Sequence, residues 1–322
     1  MRTLRPLLIL TLLLAATALV MCRDDGDLGF GDPDDDDAVD DDDAADDDDA
    51  TDDDDATDDD DAVDDDDAAA DHLVAFSAIG DVPYNAAAHL RLDEIVALHN
   101  ELEVPEFLVH VGDIKPYDTA CSEENFGAVR TTLRALDVPV FMVPGDNEYN
   151  DCDDPPAALD LWRSMFAQLH TEWDGGPSVV HQEGRVENFA WVQNRVLFVG
   201  VNVVGGSVHD EEEWAERLGD DADWLDEHFT AQADSIDAAV VFAHATLGQG
   251  HTLFLERLRA AAATLDLPVL YLQGDEHRWT QERPWPEQNL MRVAVDADAA
   301  DPVIVTVHAD GDTFRFDRTP FD

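Results

Sequence analysis

The sequence predicts an α/β fold: a two-sheet β-sandwich flanked by helices. Three observations predict it. Four short apolar runs each stop at Gly-Asp: residues 73–81 (LVAFSAIGD), 107–113 (FLVHVGD), 140–146 (VFMVPGD) and 269–275 (VLYLQGD). Each is rich in β-branched or aromatic residues and free of charge until its end, the pattern of a strand buried on both faces of a parallel sheet. Helical patterns separate the runs, which predicts parallel neighbours. Later apolar stretches lack the Gly-Asp ending, and these predict a second sheet packed on the first.

The chain opens on Arg2 and Arg5 followed by an apolar core over residues 7–20, a secretory signal in shape. It runs into Cys22. The stretch Leu19-Val20-Met21-Cys22 resembles a bacterial lipoprotein processing box, with Met21 where a small residue is usual. Lipidation of Cys22 and export to the outer membrane, cell surface or periplasm are expected. An ordinary signal peptide or an uncleaved anchor is the alternative. Residues 34–69 are six hexapeptides of the form DDDDA followed by Val, Ala or Thr, and residues 23–71 hold 29 Asp and one Arg. No core can form there, so the stretch is expected to be disordered and extended by its own repulsion. It reads as a solvated tether that attracts divalent cations along its length. A specific calcium loop is disfavoured, because the Gly turn and terminal Glu of such loops are missing.

Of the net charge of −57, −31 falls on residues 72–322, so the folded part is acidic by itself. Nucleic acid and anionic membrane surfaces are poor partners for it. Contact with a membrane is expected only through the N-terminal anchor. The expected organisation is therefore a leader (1–22), an Asp-rich tether (23–71) and one α/β domain (72–322).

Within the domain, Leu92, Ile95 and Val96 make one helical stripe that His99 extends as a packed residue. Phe126, Val129, Leu133 and Leu136 make a second stripe, with Ser122 as its N-cap. Leu159, Trp162, Phe166 and Leu169 make a third. Residues 189–204 read as a hairpin turning at Asn194-Arg195. Residues 290–295, 303–308 and 313–316 read as further strands, with Gly311 in a turn.

Ligands of such sheets bind beyond the carboxyl ends of the strands. Asp81, Asp113, Asp146 and Asp275 should therefore converge at one rim, each preceded by a glycine that permits a sharp turn or close approach. Four carboxylates without cationic partners repel one another, and a bound metal is the simplest remedy. Cys121 and Cys152 each lie a few residues past a strand-end aspartate. In an oxidising compartment they are expected to pair; two free buried thiols are the alternative. Lys115 is the only lysine, against 17 arginines, and stands two residues after Asp113. It either serves the carboxylate cluster or forms a surface ion pair. His110 reads as core. Tyr84 and Tyr149 either touch a substrate or are simply loop aromatics. Glu148 and Glu276 either support the site or face solvent.

The series GDVPY (80–84), GDIK (112–115), GDNEY (145–149), FAH (242–244) and GDEH (274–277) resembles a divergent calcineurin-like metallophosphoesterase, of a bacterial branch with a GDNE-type third motif. The resemblance spans most of residues 73–320. It implies a four-layer α/β/β/α sandwich that hydrolyses a small phosphoester at a metal centre of one or two ions. By that resemblance Asp81 and Asp113 are metal ligands, Asp113 bridging. Asp146 stands for the family's asparagine and Asn147 for its catalytic histidine. His244 and His277 are kept as ligands, and Asp275 replaces a third histidine. Pro83 stands where another ligand is usual. Asn147 and Lys115 are the catalytic candidates. Carboxylate has replaced imidazole, which favours Mn, Mg, Ca or Fe over Zn. Asn147 cannot protonate a leaving group as histidine would, so a catalytically weak or inactive binding or surface-display module on an acidic stalk is the rival reading. Loops 205–212 and 278–288 are expected to set specificity. The sequence lacks a phosphate-binding Gly-x-x-x-x-Gly-Lys loop, a Gly-x-Ser-x-Gly elbow and a dinucleotide glycine triplet.

Overall fold

The computed structural model describes residues 72–322; the leader, Cys22 and the Asp array lie outside the described residues. The chain enters on β1 (Val74–Ile79), α1 (Ala86–His99), β2 (Leu108–His110), α2 (Glu123–Leu133) and β3 (Val140–Met142). Next come α3 (Pro155–Phe166), a 3-10 turn (Leu169–Glu172), β4 (Val180–Gln182), β5 (Arg185–Gln193) and β6 (Val196–Gly200). α4 (Glu211–Gln232), β7 (Ala238–Phe242), α5 (Thr252–Leu265) and β8 (Val269–Gln273) follow. β9 (Thr280–Glu282), β10 (Leu290–Ala294), β11 (Val303–Val307) and β12 (Phe314–Asp317) complete it.

The strands form two sheets. One has the order β12-β11-β1-β2-β3, the other β4-β5-β6-β7-β8-β10-β9. β1, β2 and β3 are parallel neighbours, as expected. The fourth Gly-Asp strand is not their neighbour: β8 lies in the other sheet, parallel to β7 and β10. The late strands divide as well. β10 joins the seven-stranded sheet, while β11 and β12 extend the five-stranded one antiparallel to β1. Apolar runs buried on both faces carry no mark of which sheet they join.

Alternation along the strands builds the layers. Val74, Phe76 and Ala78 of β1 face Phe198, Val240, Phe242 and Leu272 of the opposing sheet. Phe76, Phe107, Phe141, Trp191 and Phe198 form a chain of stacked and edge-on rings between the sheets. Each such buried ring contributes about 1.5–3 kcal/mol. The outer face of the five-stranded sheet packs on α1, α2 and α3 through Leu92, Phe126, Val129 and Trp162. The outer face of the other packs on α4 and α5 through Trp214, Leu218, Leu225 and Leu258. The result is the four-layer α/β/β/α sandwich. The hairpin turns at Asn194-Arg195, both left-handed (φ 46° and 67°).

Helix ends follow their caps. Ser122 Oγ accepts from Asn125 N at 3.3 Å, as expected for α2. Asp210 Oδ1 accepts from Glu212 N and Glu213 N and opens α4, whose first turn holds three glutamates that suit the helix dipole. α4 takes over the end of the expected loop 205–212, and β9 part of 278–288. Leu169 falls past α3, in the 3-10 turn. His99 is buried, its Nε2 2.8 Å from Ser77 Oγ, and burial lowers its pKa to about 4. Among the described residues no helix is long and apolar enough to cross a membrane.

Cys121 and Cys152 are bonded, with Cα atoms 6.0 Å apart, and so tie the loop after β2 to the loop after β3. Behind β5 lies a buried polar chain. Arg163 forms a two-pronged pair with Glu187 (2.7 Å each), and Asn202 donates to Glu187 at 3.2 Å. Asn188 donates to Asp221 Oδ1 at 2.7 Å, while Asp221 Oδ2 has no partner. Burial pushes the Asp221 carboxyl up to about 7, against the pull of Arg217.

Two outcomes are expected. Reducing the disulfide should lower unfolding free energy by about 2–4 kcal/mol, measured by denaturant titration with and without reductant. Asp221 stays protonated in the fold up to about pH 7 but ionises near pH 4 once unfolded. The unfolded chain then binds fewer protons between these values, so this group makes stability fall as pH rises, by about 1.4 kcal/mol per unit. Asp221→Asn should remove that part of the slope between pH 4 and 7 in thermal melts. An unchanged slope would show that Asp221 ionises freely.

Candidate metal centre

The backbone at the strand ends is special, and in a way the Gly-Asp pattern only half conveys. Asp81, Asp113 and Asp275 themselves take left-handed backbone, with φ of 54°, 62° and 68°. Aspartate is among the few residues that tolerate it. The glycines mostly serve close approach. A Cβ on Gly145 would sit 2.2 Å from Asp113 N and 2.3 Å from its Oδ1, and one on Gly274 would sit 2.6 Å from Asp81 Oδ2. The strained loops are held by their neighbours. Asp81 N donates to Gly112 O at 3.0 Å, and Asp275 N donates to both Asp81 oxygens at 3.1 Å.

Although β8 belongs to the opposing sheet, the four aspartates do converge, because the two sheets present the same ends of their parallel strands to one rim. Ligand-capable atoms of Asp81, Asp113 and His244 lie within 4.8 Å of one another, and so do those of Asp146, His244 and Asp275. His244, at the end of β7, belongs to both groups and is fully buried. Its Nδ1 lies 2.8 Å from Val111 O, so that nitrogen carries a proton and donates it. Its Nε2 faces Asp146 Oδ1 at 2.9 Å and Asp113 Oδ1 at 3.3 Å. These contacts are ion pairs, and neither Nε2 nor Asp146 Oδ1 makes a hydrogen bond.

These contacts set the electrostatics. Burial pushes Asp113 well above the usual carboxylate range, with Glu148, Asp146 and Asp81 adding to it against His244. Burial also raises Asp146, but the His244 contact outweighs it and the carboxyl ends below its ordinary value. His244 is lowered by burial, yet the facing carboxylates carry it well above the ordinary histidine range. The facing carboxylates thus favour the protonated imidazole, which offsets part of their charge.

The other residues singled out in the sequence divide. Glu148 is fully buried and accepts from Gly145 N (2.7 Å), Asp113 N (3.0 Å) and Ile114 N (3.2 Å), stapling the second and third loops together. Asn147 donates through its amide to Asp113 Oδ2 at 2.6 Å. His277 stands half-exposed at the mouth, with Nε2 3.2 Å from Asp81 Oδ1. Lys115 is buried rather than on the surface, and its Nζ donates to Pro116 O at 3.1 Å. Among the described residues it forms no ion pair. Burial lowers its pKa, against the pull of Glu148 and Asp113. Glu276 binds Thr280 and Arg292 beside the rim. His110 is buried with Nε2 2.9 Å from Val82 O, and outside both ligand groups. Tyr149 is no loop tip: it is buried under Arg217, whose guanidinium lies 5.4 Å from its ring centre.

Tyr84 is the residue that sequence reasoning undervalued. Its hydroxyl donates to Asp113 Oδ2 at 2.7 Å and lies 3.2 Å from Asp81 Oδ1. Burial, then Asp113 and Asp81, push its phenol up, so it stays protonated. Its position three residues after Asp81 was the available signal. Thr246 N, which donates to Asp275 Oδ2 at 3.1 Å, gave no signal at all.

The residues fit a divalent cation. Four carboxylates, in two groups of two, share one imidazole whose inward-facing Nε2 makes no hydrogen bond, a donor set of oxygens plus one nitrogen. Such a set could hold a divalent metal ion, and a proton on His244 or a cation are the alternative ways to offset the charge.

No family model matches the chain, and neither does any curated protein. Among solved structures it is similar to GAP50, the anchor in the inner membrane complex of Plasmodium, at 9% identity and TM-score 0.47, covering 76% of this chain and 88% of that one. It is similar to TT1561 of Thermus thermophilus at 15% identity and TM-score 0.45, covering 76% and 98%. It is also similar to the 5'-nucleotidase from Candida albicans at 9% identity and TM-score 0.46, covering 76% and 51%. At TM-scores below 0.5, the site has to be judged on its own residues.

Asp113 touches His244, Asn147 and Tyr84 at once, so its charge should matter most. Asp113→Asn is expected to weaken Mn²⁺ binding by more than about 100-fold, beyond the 10–100-fold typical of groups that act only through a ligand. Competition with a chelating dye measures it. Unchanged affinity would remove Asp113 from the centre.

Proposed function

We propose that residues 72–322 form a divalent-metal-dependent phosphoester hydrolase. The observation that carries this reading is His244: a buried imidazole whose Nδ1 proton is committed to Val111 O and whose Nε2 faces the carboxylates of Asp146 and Asp113 without hydrogen-bonding to them. The Gly-Asp series and its resemblance to calcineurin-like metallophosphoesterases supply the reaction class. Asp113, Asp146, His244 and Asp275 would hold the cation, with Asp81 and His277 beside them. When bound, a divalent cation there would acidify water and offset phosphoryl charge.

The chain's own groups do the positioning. Val111 O fixes the His244 tautomer, and Glu148 holds the two loops that carry Asp113 and Asp146. Asn147 keeps Asp113 in place and has no acidic proton to give. Protonation of a leaving group, typically worth about 10²–10⁴-fold, is therefore not supplied at that position. Substrates with intrinsically good leaving groups should be favoured. Lys115 stays buried behind the rim and adds positive potential there rather than a direct contact.

The leader and Cys22 support export with lipid anchoring, and the disulfide suits an oxidising compartment. The Asp array would then space the domain from the membrane and gather divalent cations near it. The rival reading, a non-catalytic binding module, is favoured by one observation: Pro83 and Asn147 stand where the family pattern has histidines.

The full chain loaded with Mn²⁺ should hydrolyse aryl phosphomonoesters or diesters at least tenfold faster than alkyl ones. A chelator and His244→Ala should each abolish turnover. A folded, Mn²⁺-containing chain that turns over neither ester class would favour the binding module.

A further inference from the structure

The two halves of the centre are unlike. On the Asp146–Asp275 side, His244 Nε2 and Asp146 Oδ1 face each other at 2.9 Å with no hydroxyl or amide between them and no hydrogen bond to either. That side is also kept open by glycine: a Cβ at Gly205 would lie 3.2 Å from Asp275 Oδ1 and 3.4 Å from Asp146 Oδ1. On the Asp81 side a neutral hydroxyl already stands among the ligand atoms. Tyr84 Oη lies 2.7 Å from Asp113 Oδ2, 3.2 Å from Asp81 Oδ1 and 3.3 Å from His277 Nε2. Asp81 is otherwise satisfied by Asp275 N through both its oxygens and by His277.

We infer that Tyr84 is a plug: its hydroxyl takes the place of a cation between Asp81, Asp113 and His277, and the chain holds a single divalent ion on the Asp146–His244–Asp275 side. The inference rests on the metal centre proposed above and specifies how many ions it takes. Two features hold the plug in place. Tyr84 directly precedes Asn85, whose side chain caps α1 by accepting from Ala87 N (2.9 Å) and Ala88 N (3.1 Å), so its backbone is tied to a helix start. Its ring meets His277 edge-on, with centroids 5.4 Å apart. The phenol oxygen lies within 3.3 Å of three atoms that could each ligate a cation, and it occupies the space between them.

A hydroxyl serves this half well. It gives its one proton to Asp113 and can accept from Asn147 Nδ2 at 3.4 Å. It also leaves the second oxygen of Asp113, Oδ1, facing His244. One oxygen of Asp113 is thereby taken by the phenol, and only the other faces the His244 side.

The test uses the full chain, loaded with Mn²⁺ and passed through gel filtration to strip ions held loosely by the Asp array. Metal content and the electron paramagnetic resonance spectrum are read together, with circular dichroism to show that each variant is folded. One retained Mn²⁺ per chain with an isolated-ion spectrum is expected. Tyr84→Ala should raise the content from one to two and give a spin-coupled pair. A spin-coupled pair in the parent overturns the inference while leaving the metal centre standing. A single ion in folded Tyr84→Ala overturns it too. A parent chain that retains no Mn²⁺ overturns the centre itself and the inference with it.

Discussion

Everything at the rim depends on one electrostatic constraint, the crowding of carboxylates around a single imidazole. Two like charges about 4 Å apart near a protein surface repel by about 4 kcal/mol. A domain is stable by only about 5–15 kcal/mol in total, so a few uncompensated contacts of this kind would rival the whole. The chain answers in three ways at once. His244 places positive charge, or a lone pair for a cation, between Asp113 and Asp146. Tyr84 separates Asp81 from Asp113 with a neutral donor. Glu148, a further buried carboxylate, is neutralised by three backbone N–H groups instead of by a cation.

Holding such a cluster takes a scaffold that cannot relax. The loops rise from parallel strands locked between two helical layers and an aromatic interior, and the disulfide joins two of them outside the sheet. Glycines at 145 and 274 let the loops touch where a methyl group would force them apart. Left-handed backbone at three of the four aspartates costs energy locally, and the surrounding hydrogen bonds determine it. Repulsion, strain and close packing are therefore concentrated in the same few residues, while the sandwich around them is apolar and ordinary.

Much of this was legible in the sequence, and the gaps have physical causes. The four apolar runs announced buried strands because burial on both faces removes every charge. Their shared ending announced the rim. Sheet membership was not legible: β8 and β2 have similar apolar composition but belong to different sheets, since each is buried on both faces. α4 was not singled out, although Trp214, Leu218, Ala222 and Leu225 follow helical spacing, because its many acidic residues give it the look of a solvated loop. The partner of Cys121 and the cap at Ser122 were readable from short-range chemistry. The roles of Tyr84 and Glu148 were not, because they depend on contacts 29 and 34–35 residues away that no local pattern encodes.

The solitary lysine carries a further consequence. An exposed ε-amine is the usual target of acylating reagents and amine-directed cross-linkers. Residues 72–322 offer such chemistry one site, and that site is buried behind the rim. The folded domain should therefore be almost blank to these reagents, and covalent modification of Lys115 becomes a clock for the opening of the loop that carries Asp113. A chain so poor in lysine thus has a built-in reporter of its own breathing, at the place where breathing matters to the centre.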